Sequence, residues 1–291
     1  MRGTTKRVQE LRKESVDAVP KISIERALLL KQAYKKYEGK VSIPELRALA
    51  FKHICENRSL YFGDKELIVG EKGESPKSTP TYPELCCHTM KDLDIMDKRE
   101  KIFFKVSDRV KEIHQKEIIP FFKERSIRKK IFDNVDEKWK TCYLNGLFTE
   151  FMEQRAPGHT VADGKIYEKG FKDIILEIED EIKNLDFLND ENALNKRKQL
   201  QAMKIACEGI IILGKRYKKI ALEKYENEKD KKRKEELLEI YNNFRNIPKN
   251  KPESFQQAIQ MYWLVHICVT NELNIWDAFS PGRLDQHLIK F

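Results

Sequence analysis

Two turns in this sequence gather side chains that could do chemistry. The first is Gln154-Arg-Ala-Pro157-Gly158-His159-Thr160, reached after the amphipathic stretch that contains Phe151. A Pro-Gly pair forces a sharp reversal, so Arg155 and His159 are delivered to one place at a helix end. The second is Asn274-Ile-Trp-Asp277-Ala-Phe-Ser-Pro281-Gly282-Arg283-Leu-Asp285-Gln286, which repeats the reversal with Arg283 between two carboxylates. Arginine grips carboxylates through a planar fork, and a carboxylate shielded from water is the natural partner of a cation. Composition alone favours a plainer reading, in which each turn is capped and its arginine pairs with a carboxylate.

Other catalytic signatures are missing from the string. It contains no P-loop, no G-x-G-x-x-G, no H-E-x-x-H and no G-x-S-x-G. The six cysteines stand at 55, 86, 87, 142, 207 and 268 without C-x2-C or C-x4-C spacing, and Cys86 and Cys87 are adjacent, a pair that bridges with difficulty. They read as reduced thiols, mostly core filler. No metal or iron-sulfur site built by this chain is expected.

The elements that must position these turns are mainly helices. Apolar residues from Ile24 to Tyr37 follow helical spacing, with Gly39 as a stop. Ser42-Ile-Pro44-Glu45 is a capping box that opens a helix through His53. Glu66 to Gly70 reads as a short strand and Glu71 to Glu84 as an irregular surface loop, followed by two or three amphipathic helices between Asp108 and Met152. The clearest helix runs from Asn195 to Glu226. Its stripe of Leu200, Met203, Cys207, Ile210, Gly214, Tyr217 and Ala221 predicts one buried face, with Gly214 allowing a close helix crossing. Glu226 to Glu236 is almost wholly charged and reads as a solvated helix end or connection. Ser254-Phe-Gln-Gln257 is a second capping box, opening an apolar helix through Ile267.

Composition narrows the class. The 291 residues are long enough for a real core, and 15 Phe, 10 Tyr and 3 Trp argue against disorder although 35% of the chain is charged. The 56 basic and 47 acidic residues give +9, but the signs are mixed along the chain, which favours solvated helix faces over a nucleic-acid surface. The longest apolar stretch, Met261 to Val269, contains His266 and is about half the ~20 residues a bilayer core requires. The start has charge but no apolar core of a signal peptide. A cytoplasmic protein that spans no membrane and binds no nucleic acid is the expectation.

Several strings together resemble one family. Gln154-Arg-Ala-Pro-Gly-His-Thr160, Ser280-Pro-Gly-Arg-Leu-Asp-Gln286, Glu66-Leu-Ile-Val-Gly-Glu71, Pro80-Thr-Tyr-Pro-Glu84, Cys86-Cys-His-Thr-Met90 and Asn271-Glu-Leu-Asn-Ile-Trp-Asp277 are similar to the N-terminal half of glycyl-radical enzymes, the pyruvate formate-lyase-like superfamily. Within it they look most like the branch that dehydrates trans-4-hydroxy-L-proline. The resemblance runs from the first residues to about Leu288. It implies a fold that is mainly α with a few short strands, the N-terminal part of a ten-stranded α/β barrel wrapped in helices.

The resemblance also defines what this chain does not carry. The family's thiyl cysteine usually stands in Gly-Cys-Val-Glu and its radical glycine in Arg-Val-x-Gly-Tyr or Phe. Here no cysteine follows a glycine, and the only Arg-Val pairs, Arg7-Val8 and Arg109-Val110, are followed by Gln-Glu and Lys-Glu. Residues 1–291 are therefore expected to be a truncated N-terminal portion, inactive alone, with the C-terminal barrel half and glycine-radical domain absent. The complete enzyme would bind no cofactor through this chain. A separate activating enzyme, using S-adenosylmethionine and an iron-sulfur cluster, would install the glycyl radical. A small-molecule substrate, the missing C-terminal half and a second copy in a homodimer complete the implied partners, and the radical implies anaerobic metabolism.

For site residues the resemblance implies Phe151 as an apolar wall against the substrate ring, His159 as a hydrogen-bonding group and Asp277 facing the substrate ammonium. Arg155 and Arg283 would scaffold the two loops. The alternatives are Phe151 as core filler, His159 as a turn cap, and Asp277 as an N-cap or the partner of Arg283. At the level of function they are another pyruvate formate-lyase-family activity, formate acetyltransferase or diol dehydratase, and a non-catalytic helical interaction module.

Overall fold

A computed structural model describes residues 4–148, 163–272 and 282–291. Among these the chain is mainly helical, as its periodicity predicts, with two short strands. After α1 (Lys6–Asp17), helices α2 (Glu25–Tyr37) and α3 (Ile43–Asn57) form a packed pair. Gly39 turns the chain between them at φ +75°, a conformation that only glycine adopts without strain. The predicted capping box opens α3: the Ser42 amide donates to the Glu45 carboxylate at 3.0 Å.

The 35-residue helix α11 (Ala193–Asn227) is the axis of the molecule, packed by α3, α10 (Phe171–Lys183) and α12 (Lys231–Asn246). Cys207, Ile210, Leu213, Tyr217 and Ala221 bury one face of it against Leu237, Ile240 and Phe244 of α12 and Met261, Leu264 and Cys268 of α13 (Phe255–Glu272). The charged connection is short, because Asp230 caps α12 by accepting from the Arg233 amide at 2.7 Å. The second capping box is half made. Ser254 Oγ accepts from the Gln257 amide at 3.3 Å, while the Gln257 side chain takes the amide of Glu253 instead of Ser254.

Two details of the α11 stripe differ from the sequence expectation. Met203 is 52% exposed and lines an open apolar groove of about 610 Å³ between α3, α11 and α13. The close helix crossing is at Gly209, where an added Cβ would lie 3.2 Å from the Lys52 Cα of α3. Gly214 instead admits the ring of Pro248, from the loop between α12 and α13.

The strand expected at Glu66–Gly70 does not form. Val69 is fully buried, but both its backbone groups are taken by one side chain: its amide donates to Gln260 Oε1 at 2.8 Å, and its carbonyl accepts from Gln260 Nε2 at 3.0 Å. A carboxamide reproduces the donor and acceptor of a neighbouring strand, so no strand partner is needed. The strand lies in the expected loop. β2 (Ser78–Pro80) pairs in parallel with β1 (Lys21–Ser23), Ile22 opposite Thr79, and all three β2 residues are buried.

Between Asp108 and Leu144 the helices are shorter and more numerous than expected. α5 (Asp108–Ile113) passes through one π-helical turn (His114–Ile118) into α6 (Ile119–Phe122), and α7 (Ile127–Asn134) and α8 (Glu137–Leu144) follow. Pro120 has no amide to continue the regular ladder, which is the local reason for the widened turn. α4 (Met90–Lys98), α9 (Lys165–Glu168) and α14 (Leu284–Leu288) complete the set. No helix among the described residues is long and apolar enough to cross a membrane.

Candidate functional site

Phe151, Arg155, His159 and Asp277 lie outside the described residues. Arg283 is described: it is exposed, stands immediately before α14, and has no ion pair among the described residues. What the structure builds is the frame at the ends of the two segments, 149–162 and 273–281.

The second segment leaves the last turn of α13, whose carbonyls have no partner within the helix. Tyr82 Oη donates to the Thr270 carbonyl at 2.7 Å, and Arg26 Nε donates to the Asn271 carbonyl at 2.6 Å. Glu272 pairs with Arg47 of α3. Arg26 is only 4% exposed, so its other donors matter. They reach the Thr81 carbonyl at 3.2 Å and both Glu84 oxygens, at 3.2 and 2.5 Å, and its guanidinium lies 4.0 Å from the Tyr82 ring centroid. Burial alone would lower the Arg26 pKa, but the Glu84 carboxylate outweighs it and the net shift is upward. Burial also pushes the Tyr82 hydroxyl up, so it stays a donor.

Described residues that follow the two segments meet. His287 Nε2 lies 2.8 Å from Asp163 Oδ1; the carboxylate can only accept, so Nε2 carries the proton. The His287 ring stacks on Tyr167, centroids 5.5 Å apart and planes at 25°, and Tyr167 is buried in the main core. Asp163 takes φ +47° and Gly282 φ +69°. A Cβ on Gly282 would stand 2.9 Å from Asp163 Oδ1 and 3.3 Å from His287 Nε2, and its φ of +69° is one that glycine adopts without strain. The following helix α10 is fixed by the loop before α13, with the Phe171 and Lys172 amides donating to the Pro248 and Lys249 carbonyls at 3.0 and 2.9 Å.

Among the described residues no group of three His, Cys, Asp or Glu side chains could hold a metal. The six cysteines are free thiols, and Cys55, Cys207 and Cys268 are buried. Burial pushes the Cys207 and Cys87 thiols up to about 11, and raises Cys55 well above the ordinary thiol range with a further push from Cys268. Cys55, Cys87 and Cys207 are therefore not thiolate nucleophiles at neutral pH.

Sequence reasoning missed Arg26, Tyr82, Glu84, Asp163 and His287 as functional residues. A signal existed for Arg26, which falls in register with Leu29, Leu30 and Ala33 on the buried face of α2. For Asp163 and His287, 124 positions apart, there was none.

The pyruvate formate lyase-like family model matches residues 4–291, and the chain belongs to that family. Among curated relatives, the chain is 58% identical over 290 residues to trans-4-hydroxy-L-proline dehydratase of Clostridioides difficile, covering 100% of this chain and 37% of that one. It is 28% identical to isethionate sulfite-lyase of Nitratidesulfovibrio vulgaris, covering 36% of it. The crystal structure of the C. difficile hydroxyproline dehydratase with bound trans-4-hydroxy-L-proline superposes with a TM-score of 0.95 at 57% identity over 100% of this chain and 37% of its own. The glycerol-bound, B12-independent glycerol dehydratase of Clostridium butyricum gives 0.90 at 29% identity over 99% of this chain and 36% of its own. The chain thus spans little more than a third of the length of the relatives it matches.

Proposed function

We propose that residues 1–291 are the N-terminal part of a glycyl-radical carbon–oxygen lyase that dehydrates trans-4-hydroxy-L-proline to a pyrroline carboxylate. The observation that carries this reading is the 58% identity to the C. difficile dehydratase along the whole chain, against 28–29% for relatives acting on isethionate or glycerol. In this reading the described helices wrap part of a ten-stranded barrel. The remaining two thirds supplies the other barrel half, the thiyl cysteine and the radical glycine. The radical, installed by a radical-SAM activating enzyme in the cytoplasm, supplies hydrogen-atom abstraction, and the complete enzyme is a homodimer. Residues 1–291 alone do not turn over, because neither Gly-Cys-Val-Glu nor Arg-Val-x-Gly occurs in them.

The contribution of this chain is to bind and orient. Asp277 faces the ammonium of the substrate, since a cation taken into a dry barrel needs a fixed anion. Phe151 walls the ring and excludes water, and His159 hydrogen-bonds the substrate. Arg155 and Arg283 hold the two loops. Hydrogen abstraction next to the ring nitrogen places the unpaired electron beside the hydroxyl-bearing carbon, from which water leaves.

The test joins this chain to the residues that follow the matched region in the C. difficile relative, activates the chimera anaerobically, and normalises turnover to radical content. Dehydration of hydroxyproline is expected. Asp277→Asn lowers kcat/KM by about 30-fold or more, corresponding to at least ~2 kcal/mol for a desolvated charge pair. Asp285→Asn, at an exposed position, changes it less than about threefold. A radical-bearing chimera that leaves hydroxyproline untouched and turns over a diol would replace this reading with the diol-dehydratase one.

A further inference from the structure

Helix α13 is out of keeping with the rest of the surface. The chain is 35% charged, yet no Lys, Arg, Asp or Glu occurs from Phe255 to Asn271. One face of the helix is in the core, where Ala258, Met261, Leu264, Val265 and Cys268 are buried. The opposite face carries Phe255, Ile259, Tyr262, His266 and Val269, at alternating spacings of four and three that line them up along the helix. Phe255 is 51% exposed and the other four are half-buried. His266 does not make this stripe ionic. Its ring stacks on Trp263, with planes at 10° and centroids 5.4 Å apart, and burial together with Lys72 holds its pKa below the ordinary imidazole value. The stripe runs into the groove between α3, α11 and α13 at Val269, which belongs to both, and the groove adds the exposed side chains of Met203 and Ile43. A helix that is apolar all round is found in an interior, and a seam of this spacing is what a neighbouring element packs into.

We infer that the Phe255–Val269 stripe of α13 and the groove beside it form a docking seam for the polypeptide that follows the matched region in the longer relatives. This rests on the proposed function only in taking residues 1–291 as part of a longer enzyme; it does not depend on the substrate. The chain superposes over its whole length on the C. difficile dehydratase at a TM-score of 0.95 while spanning 37% of it, so nearly two thirds of such a protein is available to cover what 1–291 exposes. The segment that docks brings apolar side chains and no charge, since a charge taken into this seam would find no partner. The other occupant with a matching surface is a second copy of the chain, and the test separates the two.

Two measurements test it. Residues 1–291 alone should bind the apolar dye anilinonaphthalene sulfonate, and Ile259→Glu combined with Val269→Glu should lower the dye fluorescence by about fivefold, because the exposed apolar patch is broken by charge. Both side chains are only half-buried, so the melting transition should remain. If the double variant does not fold, Phe255→Glu at the exposed end of the stripe reads the same loss in smaller measure. In the chimera that joins this chain to the remainder of the C. difficile relative, hydroxyl-radical oxidation of Phe255, Tyr262 and Met203, read by mass spectrometry, should fall by about fivefold or more relative to 1–291, since a packed interface excludes water. No dye binding by folded 1–291, or equal oxidation in the folded chimera, overturns the inference. So does a dimer of 1–291 in which the stripe is already protected and which the two glutamates dissociate, because the occupant is then a second copy. A chimera that protects the seam but leaves hydroxyproline untouched overturns the substrate assignment and leaves the seam standing.

Discussion

A guanidinium removed from water is tolerated only when its donors are used, and Arg26 uses them on three elements at once. It joins α2, the Thr81–Glu84 stretch and the last turn of α13, and with Tyr82 and Arg47 it holds the helix end that precedes the segment bearing Asp277. Replacing Arg26 with Met leaves Glu84 and two carbonyls unpaired. The expected loss is about 3–5 kcal/mol in urea unfolding, the range for breaking a buried pair from one side. Arg26→Met combined with Glu84→Met should recover part of it, because no lone carboxylate then remains. Equal losses in the single and double variants would mean that the carbonyl caps, not the ion pair, dominate. The arginine was legible as a misfit on an apolar face, but its partners were not, since they come from 55 to 245 positions away.

At the scale of elements, the glycines of α11 separate what periodicity can reveal from what it cannot. The stripe predicts the helix and its buried face, and both form. It does not say which glycine meets a helix and which meets a loop. Alanine gains about 1 kcal/mol over glycine within a helix, so Gly209→Ala, with 3.2 Å to Lys52 Cα, should fall near neutral. Gly214→Ala must push the Pro248 ring aside and should destabilise by about 1–3 kcal/mol, read from chemical unfolding of both variants. A stabilised Gly214→Ala would show that the loop before α13 yields freely. That loop also caps α10, so the same variant should loosen the Phe171 and Lys172 amides in hydrogen exchange.

At the scale of the molecule, the chain spans little more than a third of the relatives it matches, and in the proposed function the rest of the chemistry lies in the remainder. Incubated anaerobically with an activating enzyme, S-adenosylmethionine and reductant, residues 1–291 should give no glycyl doublet in electron paramagnetic resonance. The two Arg-Val pairs cannot stand in for the radical motif: each has a glutamate where the motif has its glycine, and Arg109-Val110 lies within α5. A doublet from this chain alone would overturn the proposed division of labour. Charges of opposite sign pair across elements, among them Lys52–Glu208 and Lys111–Asp94.

The sequence by itself determined the helical class, the cap at Ser42, the long α11 and the family, because these depend on local spacing and on short contiguous strings. Only the tertiary structure decided that Val69 pairs with a glutamine side chain, that β2 lies in an apparent loop, and that Arg26 holds the end of α13. It alone brought Asp163 to His287. Local spacing reports which face of an element is apolar; it carries no information on which distant group will satisfy a buried donor, and that choice is made by the packing of α2, α11 and α13 around one core.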